Sequence, residues 1–248
     1  MAKSFWINDG HKPLVDLWSE ILDHPNELAE KYAELWHDQE GRERAYFDIV
    51  RSQFNESHQP HHFLYLLARC VKAVIRYNTE GRFNNTPDNR RKGARPEEMK
   101  QRLLGSSKLL SGRTKATAWD YKKVLARCTP KDVIYMDPPY QGVSGDRDSR
   151  YLPTVVHDEF CDELAALNNR GCQYVVSYDG RTGDKVFGEP LPKSLGLCHL
   201  EICAGRSSQA TLLGRSLITY ESLYISPTLA NDSTSLPVTR PKRQLTLV

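Results

Sequence analysis

Val133-Ile134-Tyr135-Met136, followed without a break by Asp137-Pro138-Pro139-Tyr140, is the stretch on which the reading of this chain turns. Four consecutive apolar residues between polar neighbours read as a buried strand. The two prolines then end it, because neither carries an N–H and each holds the residue before it extended. In open α/β sheets, ligands bind beyond the carboxyl ends of strands, which is where this acid, proline pair and aromatic ring fall. A given tetrapeptide of this kind arises by chance in on the order of one in a thousand chains of this size. A proline-stiffened loop without function is therefore the weaker explanation.

Upstream, Phe5-Trp6-Ile7 is a short apolar run that ends at Asn8-Asp9-Gly10, a strand entering a turn. Pro13 and Pro25 each open a helix, the first with Leu14, Leu17, Trp18, Ile21 and Leu22 on one face. Two more helices are expected over Arg42–Phe54 and Phe63–Tyr77, then a mostly irregular, Gly/Asn/Pro/Arg-rich segment to Thr114. Downstream, the pattern predicts a helix over His157–Asn169 and strands at Tyr174–Ser177, Leu197–Ala204 and Ser216–Ile225. Strand–helix alternation implies a mostly parallel sheet covered by helices.

Hydrophobic residues make up 39% and charged residues 26% of the 248, an ordinary globular composition. No run of about 18 apolar residues is present, so no membrane span is expected. The six cysteines form no C-x-x-C pair, which argues for buried free thiols and a reducing cytoplasm. His58, His61 and His62 cluster around Pro60 but lack companion acids, so no metal site is expected. The net charge of +3 hides an uneven spread. Arg69 to Lys115 holds thirteen Lys/Arg against four Asp/Glu, a basic block that suits a polyanion or, alternatively, a solvated helical face.

Asp137-Pro138-Pro139-Tyr140 matches the catalytic motif of amino-methyltransferases acting on adenine N6 or cytosine N4, and its aspartate leans toward adenine. Further residues resemble the Dam-like adenine-N6 DNA methyltransferase family. Asn8-Asp9 with Leu14, Val15, Leu17 and Trp18 is similar to its second-strand motif, whose acid binds the cofactor ribose. Arg76-Tyr77-Asn78-x-x-Gly81-x-Phe83-Asn84-x-x-Pro87 resembles its DNA-recognition signature. Trp119-Asp120-Tyr121 looks like the element that holds the cofactor adenine, and Ala204-Gly205-Arg206-Ser207-Ser208 like a late hairpin near the target pocket.

The resemblance implies a Rossmann-like α/β sheet using S-adenosylmethionine, with a catalytic core of residues 1–24 and 117–226. A helical target-recognition insertion would occupy 25–116, and a flexible tail 227–248. Asp137, Pro138, Pro139 and Tyr140 would be catalytic. The Asp137 carboxylate and Pro138 carbonyl would accept the two amine N–H bonds, and Tyr140 would stack on a base flipped from the duplex. Asp9, Asp120, Tyr121 and Asp137 would face the cofactor. Arg82, Arg90, Arg91, Lys92 and Arg95 would contact phosphates and Asn84 and Asn85 would lie near bases, with Arg76 and Asn78 in the same DNA-binding region and base readers not separable from phosphate clamps.

The family also carries an aromatic-x-Gly-x-Gly loop ahead of the second-strand acid. Here eight residues precede Asp9, and no two of the fifteen glycines are spaced G-x-G. The expectation is an incomplete sheet lacking its first strand, with a second polypeptide supplying that strand and its glycine loop. Two alternatives remain open at this stage: adenine methylation in RNA, and a non-catalytic DNA-binding subunit.

Overall fold

The computed structural model describes residues 2–70, 75–88, 90–139, 155–206 and 217–232. Tyr140, Ser207, Ser208 and the chain past Asp232 lie outside the described residues. The chain divides into two compact units, with the division between Ala126 and Arg127.

The first unit contains β1 (Phe5–Asn8), α1 (Lys12–Asp23), α2 (Pro25–Asp38), α3 (Glu43–Ser57), α4 (Pro60–Arg69), α5 (Pro96–Leu110), β2 (Thr114–Thr117) and α6 (Tyr121–Leu125). Prolines open α1, α2, α4 and α5, where a missing N–H costs nothing because the first helical turn has no acceptor for it. Leu17 and Ile21 of α1 join Leu28 and Tyr32 of α2, Phe47, Val50 and Phe54 of α3, and Phe63 and Leu66 of α4 in one core. The expected boundary after residue 24 thus falls inside this core. β1 and β2 pair in parallel, Phe5 opposite Thr114 and Asn8 opposite Thr117.

Two expectations are corrected here. The helix predicted over Phe63–Tyr77 ends at Arg69, because the next backbone groups are taken by a returning segment: Cys70 bridges Pro87, and the Asp88 N–H donates to the Arg69 carbonyl at 2.7 Å. The irregular segment to Thr114 contains helix α5, whose buried face carries only Met99, Leu103 and Ser107 beyond Pro96. Gly105-Ser106-Ser107 in its middle dilutes the apolar period from which it would have been read.

The second unit contains β3 (Val133–Met136), α7 (His157–Asn169), β4 (Gln173–Thr182), β5 (Lys185–Phe187), a 3-10 turn at Lys193–Leu195, β6 (Cys198–Arg206), β7 (Ile218–Ile225) and α8 (Pro227–Asp232). Its strand order is β3-β4-β7-β6, with β5 on β4. Only β3 and β4 run parallel; β5, β6 and β7 join antiparallel, correcting the mostly parallel expectation. The cause is connectivity. Among the described residues no long helix lies between β4 and β7, so β5 returns beside β4 and β7 beside β6 instead of crossing over. Six residues of the expected tail form α8, whose Ala230 N–H donates to the Ser226 carbonyl.

α7 covers one face of this sheet. Phe160 lies 5.6 Å from the Tyr178 ring, and the Tyr174 hydroxyl donates to Asn168 Oδ1 at 2.9 Å. On β3, Val133 and Tyr135 are 68% and 66% exposed, an unusual state for strand residues of a parallel pair. All six cysteines are free, but Cys198 and Cys203 on β6 are exposed, so the core-thiol expectation holds for Cys70 and Cys172 and fails for these two. No helix among the described residues is long and apolar enough to cross a membrane.

Burial lowers the pKa of His11, His61 and His62, that of His61 to about 4. The unfolded chain therefore binds protons at these sites that the folded chain refuses, and stability is lost as pH falls from about 6.5 toward about 4. Melting temperature followed by circular dichroism should drop across that window. His61→Gln should flatten the drop, and a melting temperature that holds or rises on acidification contradicts the assignment.

Candidate active site

Asp137 follows Met136 directly, at the carboxyl end of a strand parallel to its neighbour, with Met136 in register with Val176. It sits where the strand geometry delivers a ligand-facing group. The residue as a whole is exposed, yet the protein around its carboxyl displaces enough water to raise its pKa above the ordinary aspartate value. Pro138 is half-buried and Pro139 exposed. The expected base-stacking Tyr140 lies outside the described residues.

In the first unit, parallel pairing puts Asp9 and Asp120 just past the carboxyl ends of the adjacent strands β1 and β2. The Asn8 side chain locks this end: its Oδ1 accepts from Trp119 N and Thr117 Oγ1, and its Nδ2 donates to the Trp119 carbonyl. Asp9 N–H donates to the Thr117 carbonyl at 3.3 Å. Asp9 Oδ1 accepts from His11 N, and Asp120 Oδ1 accepts from Lys122 N at the start of α6. Neither Oδ2 has a hydrogen bond among the described residues, so each acid keeps an oxygen for a ligand hydroxyl or amine. These residues fit a nucleoside-like group at the strand ends. Tyr121 begins α6 beside them.

His11 was not anticipated from sequence. It is 5% exposed, and its Nδ1 accepts the Leu14 N–H at the start of α1. That acceptor role leaves the ring proton on Nε2, which donates to the Tyr77 hydroxyl. The turn carrying Asp9 is thereby tied to the segment carrying the expected DNA-binding residues.

That segment is an arm built from backbone hydrogen bonds. Tyr77 bridges Phe83, and the Asn84 N–H donates to the Arg76 carbonyl. Asn78 Oδ1 accepts from Glu80 N and Arg82 N, closing the turn at Gly81, whose φ of +72° suits glycine. Asn85 is buried; its Oδ1 accepts the Arg76 N–H and its carbonyl accepts from Arg51. Asn55 of α3 holds the arm from below, its Oδ1 accepting from Phe83 N at 2.7 Å and its Nδ2 donating to the Phe83 carbonyl at 3.1 Å. Asn78 and Asn85 thus shape the arm from within. Arg76, Arg82, Asn84, Arg90, Arg91, Lys92 and Arg95 are exposed on it or just beyond. No residue pattern marks Asn55 for this role; it lies in the last turn of an amphipathic helix with no partner visible in sequence.

No group of three or more His, Cys, Asp or Glu residues among the described residues could hold a metal ion.

The model of the D12 class N6 adenine-specific DNA methyltransferases matches residues 1–187. The chain belongs to that family. It is 26% identical over 143 residues to the DNA N-6-adenine-methyltransferase of Escherichia phage P1, covering 54% of this chain and 18% of that protein. With the DNA adenine methylase of Serratia marcescens it shares 24% identity over 145 residues, 57% of this chain and 52% of the relative. The Type II methyltransferase M1.LlaDCHI of Lactococcus lactis subsp. cremoris aligns at 26% over 230 residues, 86% of this chain and 76% of the relative. The match to the Serratia enzyme thus takes in about half of that protein's length.

Asn55→Ala would strand the Phe83 N–H and carbonyl away from a partner, a loss of about 1–3 kcal/mol. Urea titration should report that loss, and amide exchange should rise at residues 76–85 while α2 stays protected. Unchanged exchange in the arm contradicts its dependence on Asn55.

Proposed function

We propose that this chain transfers a methyl group from S-adenosylmethionine to adenine N6 in duplex DNA, as one half of a split enzyme. The observation that carries the reading is the Asp137-Pro138-Pro139 motif at the carboxyl end of β3, in a chain of the D12 family.

An exocyclic amine on adenine is a poor nucleophile because its lone pair is delocalised into the ring. Asp137 Oδ and the Pro138 carbonyl each accept one of its N–H bonds, which favours the tetrahedral geometry and frees the lone pair. Neither proline competes with a donor of its own. S-adenosylmethionine supplies an electrophilic methyl on a sulfonium. When bound, it would give up that methyl to the amine and leave as the neutral thioether, while Asp137, already accepting one N–H, would hold the released proton and pass it to water. Asp9 and Asp120 would hold the ribose and adenine of the donor through the oxygens they leave unbonded, with Tyr121 beside them. Arg76, Arg82, Arg90, Arg91, Lys92 and Arg95 follow the phosphate backbone, and Asn84 reaches toward bases.

The split-enzyme part of the proposal has two supports. No two glycines in these 248 residues are spaced as the family's glycine loop requires. β3 also has no strand on its outer edge among the described residues, and Val133 and Tyr135 leave apolar surface open beside it. A second polypeptide adding a strand, its glycine loop and a helix would satisfy both.

Labelled methyl transfer, assayed with the completing polypeptide present, should modify duplex DNA and spare RNA. Asp137→Ala should lower the rate by at least about a hundredfold with DNA affinity retained. Activity should also fall on acidification at a pH above the usual aspartate range, because the ionised carboxylate is the stronger N–H acceptor and protonation weakens it. A variant that keeps its rate assigns the chain to DNA binding alone, and preferential labelling of RNA moves the substrate class.

A further inference from the structure

The polypeptide from Arg90 to Arg95 faces its own helices with carbonyls and the solvent with cations. Four consecutive-region acceptors are occupied from within the first unit. The Arg91 carbonyl accepts from Arg69 Nη1. The Lys92 carbonyl accepts from Gln39 Nε2 at 3.0 Å, and the Ala94 carbonyl from the Tyr32 hydroxyl at 2.7 Å. The Arg95 carbonyl takes the Met99 N–H as α5 begins. The donors are deeply buried: Tyr32 and Gln39 at 0% and Arg69 at 3% exposure. The Tyr65 hydroxyl donates to Gln39 Oε1 and so sets which way the Gln39 amide points.

Gly93 sits at the centre with φ +86°, and a Cβ there would meet Tyr32 Oη at 3.1 Å. The strand of chain is therefore drawn tightly onto α2 and α4. With every one of those carbonyls held inward, the side chains on either side turn out. Arg90, Arg91, Lys92 and Arg95 are all exposed. Lys92 pairs with Glu43 at 2.7 Å and Arg91 approaches Asp88 at 3.8 Å. Arg90 and Arg95 have no ion-pair partner among the described residues.

We infer that Tyr32, Gln39 and Arg69 are positioning residues that pre-shape residues 90–95 into a strap for one stretch of DNA phosphate backbone. None of the three touches the DNA. They remove beforehand the conformational entropy that a free basic loop would lose on binding. An exposed lysine–glutamate pair such as Lys92–Glu43 opens at small cost, so Lys92 can turn to a phosphate when one arrives. This inference rests on duplex DNA being the substrate.

The test is anisotropy of a labelled DNA duplex titrated with the protein at several salt concentrations. Each phosphate contact contributes about −0.9 to the slope of log affinity against log salt. Arg90→Ala should reduce the slope by about one contact. Tyr32→Phe keeps the ring and loses only the bond to Ala94, and should weaken binding about three- to tenfold with a smaller slope. The double variant should lose less than the two singles combined. Tyr46→Phe, which loses a bond to Asp38 elsewhere in the same core, should leave the slope unchanged. A Tyr32→Phe slope equal to wild type, or full additivity with Arg90→Ala, overturns the strap. Wild-type protein that shows no salt-dependent binding to duplex DNA removes the substrate reading itself, a separate failure. Tighter binding to an RNA duplex at equal salt overturns the choice of DNA.

Discussion

The Phe83 ring packed against Phe54 and Phe63 is the contact on which the arm at residues 76–85 depends. The ring is 1% exposed, with centroids 5.7 Å from Phe54 and 6.2 Å from Phe63, both edge-on. Burying it is worth about 1.5–3 kcal/mol. Hydrogen bonds add to the ring by sparing the arm's backbone groups from burial without partners. Asn55 takes both polar groups of Phe83, Asn85 takes Arg76, and Asn78 takes two N–H groups of its own turn. A polar, glycine-rich segment acquires one conformation because an aromatic anchor and three asparagines act together.

This division of labour explains what could be read beforehand. Helices α1 and α2 were legible because Pro13 and Pro25 mark their starts and their apolar residues recur at helical spacing. β3 and the Asp137 motif were legible because four apolar residues met two prolines. The continuation of α4 past Arg69 was misread because Val71, Val74 and Ile75 extend its apolar period, whereas the backbone of Cys70 is recruited by Pro87, seventeen positions on. Periodicity sees neighbours along the chain, not competitors from a distant segment. Asn85 carries the same limit: an asparagine in a basic stretch reads as a base contact, and only the fold reveals that its amide faces inward. His11 and Gln39 gave no signal and Tyr32 reads only as a core residue of its helix, since a buried side chain that bonds a remote polar group leaves no mark of that bond at its own position.

Under the proposed function, the first unit would carry two sites, joined by short covalent and hydrogen-bonded paths. The strand ends of β1 and β2 present Asp9 and Asp120, each with one oxygen uncommitted. The arm and the strap present cations whose backbone is held from behind by buried donors. His11 and Tyr77 link the two regions through a single hydrogen bond. The second unit presents Asp137 at the end of β3, which has no strand on its outer edge among the described residues and leaves Val133 and Tyr135 exposed. Methyl transfer needs a donor pocket, a target-amine acceptor pair and a grip on DNA. The proposed division leaves the methionine end of the donor pocket to the added strand and loop.

The most direct measurement of that division is calorimetric titration of S-adenosylmethionine into the chain alone and into the chain with a candidate glycine-loop polypeptide. The account predicts no tight binding in the first case and stoichiometric binding in the second. Tight binding by the chain alone would contradict it, because residues within these 248 would then complete the donor pocket without the loop.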